Sequence, residues 1–140
     1  MPMEDIKRLL PHRDPFLFVD RIEKADREEI IGYKKYREDE FFFPGHFPGR
    51  PVVPGVILVE TMAQCGGAGV KSLGSFRDAL FFLATVDKAK FKRPVLPGEE
   101  LKMVITNLRL SERMIKQSGK AYVGDELAAE AEWLCLAGRE

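Results

Sequence analysis

The longest apolar run of the chain lies near its centre and predicts a buried helix. Residues 56–71 contain no proline, and their apolar side chains cover every face of a helical wheel. A helix that is hydrophobic all round belongs in the interior of a protein. Gly66, Gly67 and Gly69 would each destabilise this helix by about 1 kcal/mol relative to alanine. We therefore expect another element to pack very close to it.

Strand-like segments flank the predicted helix on both sides. Before it, a short helical turn over residues 4–10 is followed by two aromatic and β-branched runs, residues 16–22 and 29–37, which predict strands. After it, four more strands are predicted, over residues 80–93, 101–107, 114–123 and 127–136, with Gly124-Asp125 as a tight hairpin turn. This order predicts an α+β fold in which an antiparallel sheet of about six strands curves around one long central helix.

Length and composition fit a single domain spanning residues 1–140. The 22 basic and 22 acidic side chains cancel, so nothing global favours binding to nucleic acid or to a membrane. The sequence shows no signal-peptide core and no run long enough to span a bilayer, and we expect a cytosolic protein. Cys65 and Cys135 each lie in an apolar segment and predict buried free thiols. The two histidines lack partners at metal-ligand spacing, so no metal site is predicted.

The segment before the central helix is rigid and carries a histidine. Four of the nine prolines and three of the twelve glycines fall within residues 44–55, so this segment is neither helix nor central strand. His46 lies inside it, with nearby glycines that allow a ligand to approach the backbone. Histidine is the side chain whose ordinary protonation change lies nearest to neutral pH. His46 is therefore a candidate acid or base, although many histidines in such loops are only polar surface residues.

Glu60 is the one carboxylate in the apolar first half of the central helix. Burying an unpaired carboxylate is costly unless it is hydrogen-bonded or takes up a proton, and such costs are more common at functional sites. The alternative is that Glu60 reaches solvent or bonds a backbone group of the loop. Gly55 begins the helix, where an unpaired N–H suits a developing oxyanion, and it also fits an ordinary turn glycine.

Four ordered motifs carry a resemblance to a known family. They are LPHRxPFLxVD at residues 10–20, GHFPGxPxxPGV at residues 45–56, Glu60, and DKxKFxxPxxPG at residues 87–98. Together they resemble the β-hydroxyacyl-acyl carrier protein dehydratases of type II fatty acid synthesis (FabZ type), from residue 9 to about residue 136. The resemblance implies a hot-dog fold, in which an antiparallel sheet wraps a long helix.

The resemblance also implies roles for particular residues. His46 and Glu60 are similar to the catalytic pair, which different subunits of a dimer contribute to one substrate tunnel. Gly55, followed by Val56, matches the glycine whose backbone N–H meets the thioester carbonyl. The remaining matches are His12, at the edge of the site, and Phe82, near an aromatic residue that lines or gates the tunnel, with the adjacent Phe81 as an alternative.

The implied reaction is loss of water from a (3R)-hydroxyacyl thioester to give the trans-2-enoyl thioester, without metal or organic cofactor. His46 would remove the C2 proton and Glu60 would protonate the departing hydroxyl; a division in which one residue handles both protons stays open. A sister group that also isomerises the double bond has aspartate in place of Glu60, so the glutamate favours simple dehydration.

The resemblance implies two partners. One is the chain itself, as a homodimer assembled into a hexamer. The other is an acidic acyl carrier protein, which predicts a basic surface at the tunnel mouth, unless the basic residues form only a solvated face. The candidates are Lys88, Lys90, Lys92, Arg93, Arg109, Arg113 and Lys116. The same fold serves acyl thioesterases, so a hot-dog thioesterase is the enzymatic alternative, and a non-catalytic acyl-binding subunit is the other.

Overall fold

The structure is a computed structural model and describes residues 1–76 and 78–138. Over these residues the elements are α1 (Met3–Leu9), β1 (Arg21–Ala25), β2 (Glu29–Lys35), α2 (Gly55–Ser72), β3 (Leu80–Phe91), β4 (Glu100–Leu110), β5 (Met114–Val123) and β6 (Glu126–Gly138). The predicted order of two strands, one long helix and four strands is confirmed. No helix within the described ranges is long and apolar enough to span a membrane.

The six strands form one antiparallel sheet in the order β1-β2-β4-β5-β6-β3. Helix α2 packs against every strand, so the sheet curves around it as predicted. Alternate side chains of a strand point to opposite faces, and on β4 the inward-facing residues Leu101, Met103 and Ile105 are fully buried. The fold is therefore the expected hot-dog arrangement of an antiparallel sheet around a central helix.

The glycines of α2 allow the sheet to touch the helix backbone. A methyl group at Gly66 would overlap the side-chain amide of Gln117 on β5, and one at Gly69 would overlap Ile30 on β2. Gln117 is fully buried; its Nε2 donates to the Gly66 carbonyl at 3.2 Å, and its Oε1 accepts from the Trp133 indole N–H at 3.0 Å. The predicted close packing on this helix is confirmed.

The strand predicted over residues 16–22 is wrong for most of its length. Strand β1 begins only at Arg21, although Leu17, Phe18 and Val19 are buried as a strand would be. The physical reason is that a side chain, rather than a neighbouring strand, bonds the backbone of this segment. The amide of Gln64 on α2 accepts the Phe18 N–H at 2.8 Å and donates to the Phe16 carbonyl at 3.0 Å.

Strand β3 forms an edge of the sheet and is exposed along most of its length. Two register shifts interrupt its pairing with β6, between Leu83 and Thr85 and between Asp87 and Lys90. The second breaks the simple alternation predicted for this strand. Four large apolar side chains on β3 are 41% to 54% exposed: Phe82, Leu83, Val86 and Phe91. An apolar edge strand of this length is a typical surface for pairing with another chain.

The two cysteines are buried and free, as predicted. Burial raises the pKa of each thiol to about 12; for Cys135 the nearby Glu60 carboxylate adds to the shift. Both thiols therefore stay protonated at neutral pH. A thiol in that form is a weak nucleophile, so neither cysteine fits a role as a catalytic nucleophile.

Candidate active site

His46 is held with one ring nitrogen free to accept a proton. Its Nδ1 lies 2.9 Å from the carbonyl oxygen of Val52, and because a carbonyl only accepts, Nδ1 carries the hydrogen of the neutral ring. Directly after His46, Phe47 and Arg50 exchange two backbone hydrogen bonds, at 2.9 and 2.8 Å, which form a tight turn. The Phe47 ring stacks on the imidazole at 4.0 Å. The hydrogen bond to Val52 leaves the lone pair of Nε2 available to accept a proton, which is what a general base requires.

Glu60 lies on α2 with its carboxylate partly buried, the side chain being 25% exposed. The carboxylate is hydrogen-bonded, because Gln64 Nε2 donates to Glu60 Oε2 at 2.9 Å. It also reaches solvent in part, as the alternative expected, whereas a bond to the loop backbone is not observed among the described residues. The Gln64 amide can adopt only one orientation, because the Phe18 N–H requires an acceptor opposite it. Both contacts of the carboxylate, to Gln64 and to His12, involve Oε2 rather than Oε1.

His12 lies beside the same carboxylate. Its Nε2 is 3.7 Å from Glu60 Oε2, and its buried Nδ1 has no hydrogen-bond partner within the described chain. Burial lowers the pKa of His12 below its ordinary value, and the Glu60 carboxylate opposes that shift. The ring is therefore mostly neutral at pH 7 and places no full positive charge next to Glu60.

A small cavity opens beside Glu60 along one face of α2. Its volume is about 40 Å³, which is room for a few water molecules. The lining residues are Leu10, Pro11, His12, Glu60, Ala63, Gln64, Gly67, Lys71, Phe81, Leu83 and Cys135. His46 is not among them. Within the described part of one chain, His12 and Glu60 are brought together and His46 lies apart from this cavity.

Of the two adjacent aromatic residues on β3, Phe81 lines the cavity and Phe82 does not. The Phe81 ring packs on Gly67, where an added methyl group would lie 3.0 Å from it, and meets Phe76 edge to face at 5.2 Å between ring centres. Phe82 is 54% exposed. Within one chain, Phe81 is therefore better placed than Phe82 to line the site. The role of Phe82 stays a prediction.

The start of α2 presents backbone N–H groups that no side chain caps. Pro54 occupies the N-cap position and provides no cap hydrogen bond. The first helical bonds run from the N–H groups of Ile57 and Leu58 to the Pro54 carbonyl, at 2.9 and 3.1 Å. Gly55 and the 76% exposed Val56 precede them, so helix geometry leaves their N–H groups without an intrahelical acceptor. These donors lie at the positive end of the helix dipole.

The basic residues predicted to face a carrier protein are spread along β6, with Lys88 3.7 Å from Glu132 and a pair of basic residues on either side of that position. Lys90 pairs in register with Glu130 of β6, whereas Lys116, the partner of Arg109, pairs with Leu134. Glu130 and Leu134 are four residues apart on β6, so these two pairing positions are separated by roughly 13 Å along the strand. We refer to Lys90 and Lys92 as the Lys90 group, and to Arg109 and Lys116 as the Lys116 group.

The fold and these residues define a hot-dog protein equipped for acid–base chemistry, with a loop histidine, a helix carboxylate and backbone donors at a helix N-terminus. The family model described as a FabA-like domain matches residues 10–132. The 3-hydroxyacyl-[acyl-carrier-protein] dehydratase FabZ of Desulforamulus reducens is 44% identical over 136 residues, covering 96% of each chain. The FabZ of Moorella thermoacetica is 40% identical and covers 100% of this chain and 99% of its own. The chain belongs to the FabA-like family, in its FabZ group.

Solved structures agree with the fold. The dehydratase heterocomplex ApeI:P from Xenorhabdus doucetiae matches 100% of this chain and 93% of its own with a TM-score of 0.83, at 17% identity. A hypothetical thioesterase from Streptococcus pneumoniae matches 86% of each chain with a TM-score of 0.63, at 11% identity. Because the sequence identities are low, these matches show only that the fold is shared. Proteins named for different reactions have this fold.

Proposed function

We propose that this chain is a 3-hydroxyacyl-acyl carrier protein dehydratase, a hydro-lyase that converts (3R)-hydroxyacyl thioesters into trans-2-enoyl thioesters in fatty acid biosynthesis. Curated relatives with this printed activity match almost the whole chain at about 40% identity. The observation that carries the proposal is the state of His46. Its Nδ1–H is engaged by the Val52 carbonyl, which leaves Nε2 as the base that the reaction needs. The cytosolic location stays a prediction.

The elimination moves two protons and breaks one bond. His46 Nε2 removes the proton from C2, and the electron pair of that C–H bond forms the C2–C3 double bond while the C3–O bond breaks. Glu60 delivers a proton to the departing hydroxyl, which leaves as water. Negative charge develops on the thioester oxygen, and the N–H groups of Gly55 and Val56 stabilise it at the start of α2. Gln64 holds the carboxylate of Glu60 in place at 2.9 Å.

The complete site requires a second copy of the chain. His46 does not line the cavity beside Glu60 in one protomer, so His46 of one chain acts with Glu60 of its partner. The apolar edge of β3 supports this arrangement, because Phe82, Leu83 and Val86 are each more than 40% exposed there and a second β3 would cover them. A homodimer is therefore part of the proposal, as is its assembly into a hexamer.

A two-channel assay tests the proposed reaction. Purified protein is incubated with 3-hydroxybutyryl and crotonyl thioesters on acyl carrier protein, while enoyl absorbance and free thiol are followed separately. Interconversion without thiol release is expected. Thiol release would indicate the hot-dog thioesterase instead. Binding without either change would indicate a non-catalytic acyl-binding subunit, and both outcomes contradict the proposal.

The Lys90 group lies near the proposed oxyanion donors and is the better candidate for docking the acidic carrier protein. Phe91, between Lys90 and Lys92, packs its ring over Gly55 at the start of α2, where an added methyl group would lie 3.1 Å from the ring. Both lysines are exposed. By contrast, Arg93 is paired with Glu99 at 3.1 Å and with Glu126 at 3.6 Å, so its charge is already compensated.

Replacing Lys90 and Lys92 together by alanine is expected to raise KM for the carrier-linked substrate about fivefold at low salt. The salt dependence of kcat/KM should become shallower, because fewer charges attract the carrier protein. Activity on a pantetheine thioester should not change. The matched control is the Lys116 group, Arg109→Ala with Lys116→Ala, which should leave KM unaltered. Equal effects of the two double variants would contradict the docking assignment.

A further inference from the structure

Two buried charges, Lys34 on β2 and Glu40 on the loop that leads to His46, form a cluster with the partly exposed Asp20, and the reaction does not use this cluster. The Lys34 side chain is 6% exposed and that of Glu40 is 4% exposed. Lys34 Nζ is 3.4 Å from Asp20 Oδ1 and 3.8 Å from Glu40 Oε2. Replacing a buried ion pair by apolar residues is often neutral or stabilising, so stability alone is a weak reason for these three charges.

The cluster fixes the backbone at two places. Asp20 Oδ2 accepts the Lys35 N–H at 2.7 Å, which ties the segment before β1 to the end of β2. Glu40 Oε2 accepts the Arg37 N–H at 3.0 Å, and the Glu40 N–H donates to the Arg37 carbonyl at 3.3 Å. Lys34 lies between the two carboxylates, so it joins the strand ends to the turn at residues 37–40.

From Glu40, two consecutive turns lead to His46. The Glu40 carbonyl accepts the Phe43 N–H at 3.2 Å, and the Phe43 carbonyl accepts the His46 N–H at 3.1 Å. Phe43 is itself buried, at 3% exposure. On the other side, the Val52 N–H donates to the His46 carbonyl at 2.9 Å. His46 is thus fixed from both directions, and Glu40 is the charged anchor on its N-terminal side.

We propose that Glu40 is a positioning residue for His46, held in place by the buried Lys34, which also pairs with the partly exposed Asp20. This role rests on the proposed function, because it serves His46 as the base. The cluster sets the path of residues 40–46 and with it the direction of Nε2. A displacement of about 1 Å at a catalytic group can lower turnover about a hundredfold, so a weakened anchor is expected to affect kcat more than substrate binding.

The test is Glu40→Gln, which keeps the size of the side chain and an oxygen for the Arg37 N–H but removes the charge opposite Lys34. We expect kcat to fall about 10- to 100-fold with KM within about twofold. The matched control is Asp26→Asn, because Asp26 Oδ1 also anchors a turn, accepting the N–H groups of Glu28 and Glu29 at 2.8 and 2.7 Å. That variant should lower the unfolding temperature and leave kcat unchanged.

A second readout separates positioning from general destabilisation. Long-range proton–nitrogen NMR spectra report which imidazole nitrogen carries hydrogen, and the chain holds only two histidines, so a His12→Gln variant assigns both. Wild type and Asp26→Asn should show His46 as the Nδ1–H tautomer, and Glu40→Gln should show a mixture. If Glu40→Gln does not fold, Asp20→Asn takes its place with the same expected spectrum, since the Asp20 side chain is 36% exposed.

Unchanged kcat and an unchanged His46 spectrum in the Glu40 variant would overturn the proposal, as would a kcat loss matched by Asp26→Asn. The spectrum is recorded without substrate. A shifted tautomer together with an inactive wild-type protein would therefore refute the proposed function while leaving the positioning role of Glu40 supported.

Discussion

His46→Ala is expected to lower kcat on a carrier-linked 3-hydroxybutyryl thioester by about a thousandfold, which lies in the middle of the range for loss of a general base. The C2 proton is weakly acidic, and no other described side chain is prepared in the same way, with Nδ1 engaged by Val52 and Nε2 left open. Because binding depends mostly on the thioester arm and the acyl chain, KM should change little. The measurement is steady-state formation of the enoyl product.

The first control for this variant is a measurement of its unfolding temperature, which shows whether the fold is retained. His46 is only partly buried in its loop, so the unfolding temperature of His46→Ala should lie within a few degrees of that of the wild type. His12→Gln is a useful comparison, because His12 lies beside Glu60 at the edge of the site and should cost far less in kcat. Activity of His46→Ala within tenfold of wild type would remove His46 from the role of base.

Much of the architecture can be predicted because its causes are local. Helix α2 is apolar on every side and begins directly after Pro54. Its predicted span, residues 56–71, therefore lies within one residue of the observed Gly55–Ser72 at each end. Strand β4 shows alternating apolar residues because one face is buried under that helix. The hairpin order expected for the last four strands holds for β4, β5 and β6 but not for β3, which pairs with β6 while β4 pairs with β2. Short connections alone therefore do not predict the strand order.

The errors and omissions have non-local causes. Residues 16–20 have strand-like composition, yet the Phe18 N–H and the Phe16 carbonyl bond the amide of Gln64, nearly fifty residues away, instead of a neighbouring strand. The same amide donates to Glu60, one helical turn earlier, and so supplies the hydrogen bond that a partly buried carboxylate needs. A polar residue at the fourth position after Glu60 in a buried helix was the available signal. The cluster of Asp20, Lys34 and Glu40 likewise forms only when separate segments meet.

Glu60→Gln is expected to lower kcat about a hundredfold or more, because the amide cannot supply a proton to the departing hydroxyl. The amide keeps the size of the side chain and can still accept from Gln64 Nε2, so the fold should be retained. Glu60→Asp is the matched comparison: it keeps an acid but withdraws it by one methylene, and a smaller loss is expected. Near-normal turnover by Glu60→Gln would show that another group protonates the hydroxyl and would favour a single residue handling both protons.

Mixing the two inactive variants tests whether the site is shared between subunits. His46→Ala and Glu60→Gln chains are unfolded together, refolded and assayed. In a mixed dimer with shared sites, one site combines both defects and the other combines the intact Glu60 of the first chain with the intact His46 of the second. Random pairing makes half of the dimers mixed, and half of their sites are intact, so about a quarter of wild-type activity should return. If each chain carried its own complete pair, every site would hold one defect and activity would not recover.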